Sequence, residues 1–283
     1  MNQRCKDCNA ARAPGRSRCY PCYGARRRAK SKAPATGMKV LYLDIETTPM
    51  VNYNWGIWQQ NVGLPQIIQP QRTMCFSARW EGGENMFFSE WDHKHGHLGM
   101  VEEAYKLLDE ADAVVHFYGS KFDIPHLNTE FLLAGLTPPA PFKQVDLKLA
   151  VSKQFKFPSN KLQYVSTVLG YEGKDKMEFE DWIGCMHGDK AAQSKMEQYN
   201  RLDVDLLQDL YARLLPWIPG LPNRNLYDGG NGGCPACQGE HVVRDGFYYT
   251  ALSQYKRFVC TDCGYWMRAS TREGGVGLQA AVL

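Results

Sequence analysis

Eight of the ten cysteines in this 283-residue chain fall into four Cys-x-x-Cys pairs, two pairs near each end. Cys5, Cys8, Cys19 and Cys22 form one set, and Cys234, Cys237, Cys260 and Cys263 the other. Four thiolates at such spacing match a structural Cys₄ zinc site. A segment of roughly thirty residues cannot build a core unaided, so the metal supplies its folding energy. The pattern predicts two structural Zn²⁺ ions in two small modules, at residues 1–33 and 228–272. Between them lies a body at residues 38–220, long enough for a real core. The N-terminus is basic but has no apolar signal-like stretch, so zinc rather than disulfides and a reducing cytoplasm are expected. No run of about 18 apolar residues occurs, so no membrane partner is expected.

Charge is distributed unevenly. The net charge is +3, but residues 1–32 hold ten Lys or Arg against the single acid Asp7, which leaves −6 on the remainder. A basic module on a mildly acidic body favours an anionic partner, most simply nucleic acid. Arg26, Arg27 and Arg28 follow Tyr20 and Tyr23, and cations beside aromatics suit a non-specific nucleic-acid surface. A solvated basic linker is the plainer alternative. In the last module Lys256 and Arg257 stand among Phe247, Tyr248, Tyr249, Tyr255 and Trp266. These residues form either a stacking surface for single strands or the small core of a zinc ribbon.

Within the body, Val40-Leu41-Tyr42-Leu43-Asp44-Ile45-Glu46 reads as a strand, stopped soon after by Pro49. Residues i and i+2 share a face, so Asp44 and Glu46 project together. Two adjacent anions repel unless a cation neutralises them, and open carboxylates suit Mg²⁺ or Mn²⁺. A solvated strand end is the alternative. Residues 73–80 and 85–88 read as a hairpin about Glu81-Gly82-Gly83, residues 100–110 as a helix, and residues 113–117 as a short buried strand. Trp91-Asp92-His93-Lys94-His95-Gly96-His97 reads as a surface loop whose histidines are a weaker metal candidate. Asp123 falls just past a strand, before a helix expected near Pro125, where it acts as an N-cap or a ligand. Residues 196–215 have a helical period. Tyr199 and Asp203 stack at i and i+4, beside a stripe of Leu202, Leu206, Leu210 and Leu214 expected to pack on the sheet. Cys75 and Cys185 read as buried packing residues. The element order indicates an α/β fold with a mixed β-sheet flanked by helices.

Asp44-x-Glu46, then Phe122-Asp123-Ile124-Pro125-His126-Leu127, then Tyr199-x-x-x-Asp203 resembles the DnaQ-like 3′–5′ exonucleases of the DEDDy type, on a ribonuclease H-like fold. The resemblance covers most of residues 38–218. Lys161-Leu162-Gln163-Tyr164-Val165 before Leu169-Gly170, and the ending Leu214-Leu215-Pro216-Trp217-Ile218, resemble the stand-alone branch that includes phage nucleases. One departure is Tyr118-Gly119, where the family often has Asn-Gly. The resemblance implies two Mg²⁺ or Mn²⁺ ions, with Asp44 bridging them. Glu46 and Asp203 would complete the water-side ion, Asp123 would serve the leaving-group ion, and Tyr199 would orient the attacking water. It implies hydrolysis of nucleic-acid 3′ ends, with single-stranded DNA favoured, in replication, proofreading or repair. A DNA polymerase or other replication protein is then a fitting partner, since proofreading would act in trans. The alternatives are an exoribonuclease and a non-catalytic zinc-ribbon adaptor.

Overall fold

The computed structural model describes residues 37–58, 61–171, 176–227 and 232–278. The first cysteine set and Arg26, Arg27 and Arg28 lie outside the described residues. A five-stranded sheet has the order β5-β4-β1-β6-β7, built from β1 (Val40–Thr47), β4 (Thr73–Trp80), β5 (Asn85–Ser89), β6 (Ala113–His116) and β7 (Lys143–Asp146). The pairs β5/β4 and β4/β1 are antiparallel, while β1/β6 and β6/β7 are parallel. The expected mixed α/β fold is therefore the observed one. A parallel neighbour needs a crossover, and helix α1 (Gly96–Glu110) supplies it between β5 and β6. The β4–β5 turn closes with Gly82 at φ 73° and Gly83 N–H donating to Trp80 O at 2.8 Å.

The alternation of β1 sorts its side chains between two cores. Leu41, Leu43 and Ile45 pack with Met100, Val101, Ala104 and Leu108 of α1, and with Ile124, Leu127 and Phe131 of α2 (Asp123–Leu133). Val40 and Tyr42 pack on the opposite face with Val204, Leu207, Leu210 and Tyr211 of the long helix α6 (Lys190–Leu214). Asp44 and Glu46 therefore emerge on the α6 face, beyond Tyr42. Three further helices, α3 (Leu147–Gln154), α4 (Leu162–Val168) and α5 (Phe179–Met186), fill in between α2 and α6.

The structure departs from the sequence reading at several elements. Helix α1 begins at Gly96, so His97 lies in its first turn rather than in a surface loop. Helix α6 begins at Lys190, where Asp189 caps it by accepting from Ala191 N–H at 2.8 Å. Leu202 is not part of the packed stripe; it is exposed, unlike Leu206, Leu210 and Leu214. An i, i+4 row drifts around a helix, so a row of four leucines turns through roughly 120° and cannot face one sheet throughout. Strand β7 carries Lys143-Gln144-Val145-Asp146, with too little apolar alternation to read as a strand, and its parallel pairing to β6 decides its state.

A second, three-stranded antiparallel sheet, order β10-β9-β8, holds β8 (Val242–Tyr249), β9 (Ser253–Cys260) and β10 (Trp266–Gly275). Its base is packed against the larger fold: Cys234, Ala236 and Cys260 share an apolar cluster with Leu214, Leu215 and Ile218. The connector is anchored as well. Buried Arg224 forks onto Glu81 in the β4–β5 turn, with Nη1 and Nη2 at 2.6 and 2.7 Å from its two oxygens. No described helix is long and apolar enough to cross a membrane.

Candidate active site

Asp44, Glu46 and Asp203 meet at the end of β1. Each offers a carboxylate oxygen, and these oxygens lie within 4.8 Å of one another. Two come from one strand and the third from α6, which crosses that face of the sheet. Asn200, one turn earlier on α6 and fully buried, donates from Nδ2 to Asp44 Oδ2 at 2.7 Å and to Asp44 O at 3.3 Å. That amide fixes the rotamer of Asp44. Sequence reasoning missed it, although it adjoins Tyr199 and lies three residues before Asp203, which is its only signal.

Asp123 approaches from the other side of the sheet. Pairing of β1 with β6 ends at Tyr42↔Val115, which leaves later β1 backbone groups open on that edge. The chain reverses after β6, and Asp123, the first residue of α2, accepts from Ile45 N–H through Oδ1 at 3.0 Å. The helix thus starts two residues before Pro125, with Phe122 rather than Asp123 as its N-cap. Asp123 sits between the positions of Asp44 and Glu46 along the strand, but outside the group within 4.8 Å. Burial pushes its carboxyl up to about 7, with the charges of Asp146 and Asp203 adding to the rise, against the backbone donors that hold it down.

The loop before Asp123 is held by another residue the sequence reading missed. Asp146 accepts from Tyr118 N–H at 3.0 Å and from Ser120 Oγ at 2.5 Å. Tyr118 takes φ 73°, a left-handed conformation that Asn adopts more cheaply than Tyr. This gives the Tyr118-Gly119 departure a physical meaning, because the backbone shape is kept by Asp146 without the residue that favours it. Gly119 is required by space: a Cβ there would come 2.5 Å from Cγ of buried His116.

Tyr199 is half-buried near the acids, edge-on to Trp182 of α5 at 6.3 Å between ring centroids. Cys75 pairs with Glu46 in the β1–β4 register, and burial lifts its thiol well above the usual range, so it is a neutral wall. Cys75 and Cys185 are both buried and unbridged. The histidines of residues 93–97 do not converge on a metal site. Arg72 forks onto Glu90 and sits 3.0 Å from His97 Nδ1, while His97 Nε2 donates to Glu130 at 3.0 Å. A guanidinium only donates, so Nδ1 accepts and the ring serves as a structural bridge.

In the smaller sheet, Cys234, Cys237, Cys260 and Cys263 bring their sulfurs within 4.8 Å of one another. Two of the separations are 3.7 Å. Four sulfurs at about 2.3 Å from a common centre stand roughly 3.8 Å apart, so the cluster has the size of a tetrahedral zinc site. The aromatics of this sheet form no closed core: Tyr248, Tyr249 and Trp266 are exposed. Arg257 lies over Trp266 at 4.7 Å and Arg268 over Tyr255 at 4.0 Å. Lys256 and Arg257 are already paired, with Glu273 at 3.2 Å and Asp245 at 3.4 Å.

No curated protein matches the chain. Among solved structures it is similar to a family B DNA polymerase from the hyperthermophilic archaeon Pyrobaculum calidifontis, at 17% identity and a TM-score of 0.47. That likeness covers 63% of this chain and 25% of the polymerase, so the chain spans about a quarter of that protein's length. The RNase_H superfamily matches residues 41–215, a stretch that begins in β1 and ends just past α6 and so takes in all four acids. The chain belongs to the RNase_H superfamily.

Proposed function

We propose that the protein is a metal-dependent 3′–5′ exonuclease that shortens single-stranded nucleic acid, DNA in preference to RNA. The observation that carries this reading is the convergence of Asp44, Glu46 and Asp203, with buried Asp123 on the adjoining backbone. Three hard oxygen donors so close together repel as anions, and their chemistry suits Mg²⁺ or Mn²⁺. Asp44 would be shared between two such ions, Glu46 and Asp203 would hold the ion on the water side, and Asp123 the ion at the departing 3′ oxygen. Ions bound there supply an acidified water and charge stabilisation for the leaving oxygen. Tyr199 orients the attacking water; a phenol is a weak base at neutral pH, so its role is placement. Asn200 keeps Asp44 turned toward its partners.

The Cys234–Cys263 cluster is proposed to hold a structural Zn²⁺ in a zinc ribbon at residues 228–272, beside an exonuclease domain at 38–220. A second Zn²⁺ is proposed for residues 1–33.

The reading is tested by digesting strands labelled at the 5′ or the 3′ end, in DNA and RNA, with Mg²⁺, Mn²⁺ or EDTA. The expected result is stepwise loss from the 3′ end, dependent on added metal and abolished by Asp44→Ala in a folded protein. Unchanged turnover of Asp44→Ala would sink it, and faster loss of RNA would reassign the substrate.

A further inference from the structure

Directly after Thr47, one residue past Glu46, the chain leaves the sheet and returns only at β4. Both ends of this excursion are fastened beside the acids. Thr48 N–H donates to Arg72 O at 2.8 Å, Arg72 N–H donates to Thr48 Oγ1 at 3.2 Å, and Gln71 Nε2 donates to Thr47 Oγ1 at 2.7 Å. The forked pairing of Arg72 with Glu90 anchors the root further. Within the excursion β2 (Val51–Asn52) pairs antiparallel with β3 (Ile67–Gln69), and Tyr53 N–H donates to Gln66 O at 2.9 Å. The result is an arm with a hydrogen-bonded stalk.

The tip of that arm is apolar and, among the described residues, uncovered. Trp55 is 99% exposed and Trp58 90%, and Tyr53, Ile57 and Leu64 are exposed as well. A group of large apolar side chains in water marks a binding surface. Its chemistry narrows the occupant. Residues 49–71 contain no Asp, Glu, Lys, Arg or His, but many Asn and Gln. An uncharged arm forms no ion pair with the four acids next to its root, as a basic one would. Its flat rings match the π-face that every nucleobase carries, and its amides both donate and accept, as base edges do. Stacking also offsets the repulsion between a phosphate chain and an acidic site.

We infer that this arm grips the unpaired strand leading into the acidic site by stacking bases on Trp55 and Trp58, independently of sequence. The proposal rests on the nuclease reading above and adds where the bases are held.

The test uses the full chain carrying Asp44→Ala, so that the strand is not cut. Labelled oligothymidylate and an abasic strand of equal length are titrated by fluorescence anisotropy, alongside the protein's tryptophan emission. Trp55→Ala with Trp58→Ala should weaken oligothymidylate binding roughly tenfold or more, given about 1–3 kcal/mol per stacked base. Abasic binding should stay unchanged, Trp55→Phe with Trp58→Phe should restore most of the loss, and only the base-bearing strand should quench the tryptophans. Equal losses on both strands, or none, would overturn the proposal. So would a concentration-dependent dimer that the alanine variant disperses, or vesicle binding that it abolishes, since either assigns the tip to another occupant. Failure of the nuclease reading shows separately, as a parent chain with Asp44 intact that does not shorten the labelled strand.

Discussion

The two ligand clusters of this protein are assembled in opposite ways. Cys234, Cys237, Cys260 and Cys263 come from two turns bracketing one hairpin, β8 and β9, and the spacing of each pair already brings its two sulfurs close. Asp44, Glu46 and Asp203 come from β1 and α6 and meet, with Asp123 of α2 bonded to the adjoining backbone, only because the sheet and both helix layers have formed. The protonation chemistry also differs. Thiols as a class titrate well above carboxylates and give up their protons to a bound metal, so gathering four of them costs less charge repulsion than gathering carboxylates. Carboxylates that stay ionised at neutral pH repel one another, so the larger fold has to hold them together by its own packing, while burial keeps Asp123 partly protonated. The comparison teaches that the cysteine cluster would depend on its proposed metal for its fold, whereas the acidic cluster is held by packing that brings mutually repelling groups together.

The largest expected effect separates the two clusters by removing ligands. Cys260→Ser should lower zinc content from two per chain to one and destabilise the β8–β10 sheet by roughly 5 kcal/mol or more, since structural zinc contributes folding energy. Because Cys260 shares a core with Leu214 and Ile218, melting of the larger fold should fall too. Elemental analysis and thermal melts check this. An unchanged melting temperature with full zinc content would break the comparison on the cysteine side.

A smaller effect concerns the strain held at Asp123. Its folded-state value of about 7 lies above the ordinary 3.8. Between those values the folded protein keeps a proton that the unfolded chain has lost. The contribution therefore favours folding at low pH and is lost as pH rises through about 7. In protein free of added divalent ions, the stability of Asp123→Asn relative to the parent should grow by roughly 2–3 kcal/mol between pH 5 and pH 8, while hydrolysis is lost. Urea melts at the two pH values read it directly. A variant no more stable than the parent at pH 8 would mean that the fold does not oppose its own acid there.

The smallest effect sharpens the acidic side alone. Asn200→Ala removes the amide that holds Asp44 and should lower activity roughly 10–100-fold, the usual range for a group supporting a metal ligand. A purely structural loss would leave the Mg²⁺ requirement where it was. Here the Mg²⁺ concentration giving half-maximal rate should rise, and an unmoved requirement in a folded variant would remove Asn200 from the site.

How much of this was legible in the sequence follows the same division. The side-sharing of Asp44 and Glu46 and of Tyr199 and Asp203 needs only strand and helix periodicity, so both pairs could be read from order alone. Leu202 was misplaced because a four-residue row drifts around a helix, and β7 was missed because one valine makes no pattern. Asn200 and Asp146 were invisible because a polar residue acquires its role only from the partner it meets, here Asp44 and the backbone of Tyr118. The exposed tryptophans of the β2–β3 arm had no signal either, since a Trp-rich stretch reads equally as core.

By itself the sequence determined the α/β class, the ligand types and the cysteine spacing, because these depend on interactions between near neighbours along the chain. The tertiary structure alone decided that α6 lays Asp203 on the β1 face, that α2 hands Asp123 to Ile45 N–H, and that the second sheet is packed against the first. The physical reason is that these contacts join residues far apart in sequence, and burial of both faces of the sheet against its helices fixes them together.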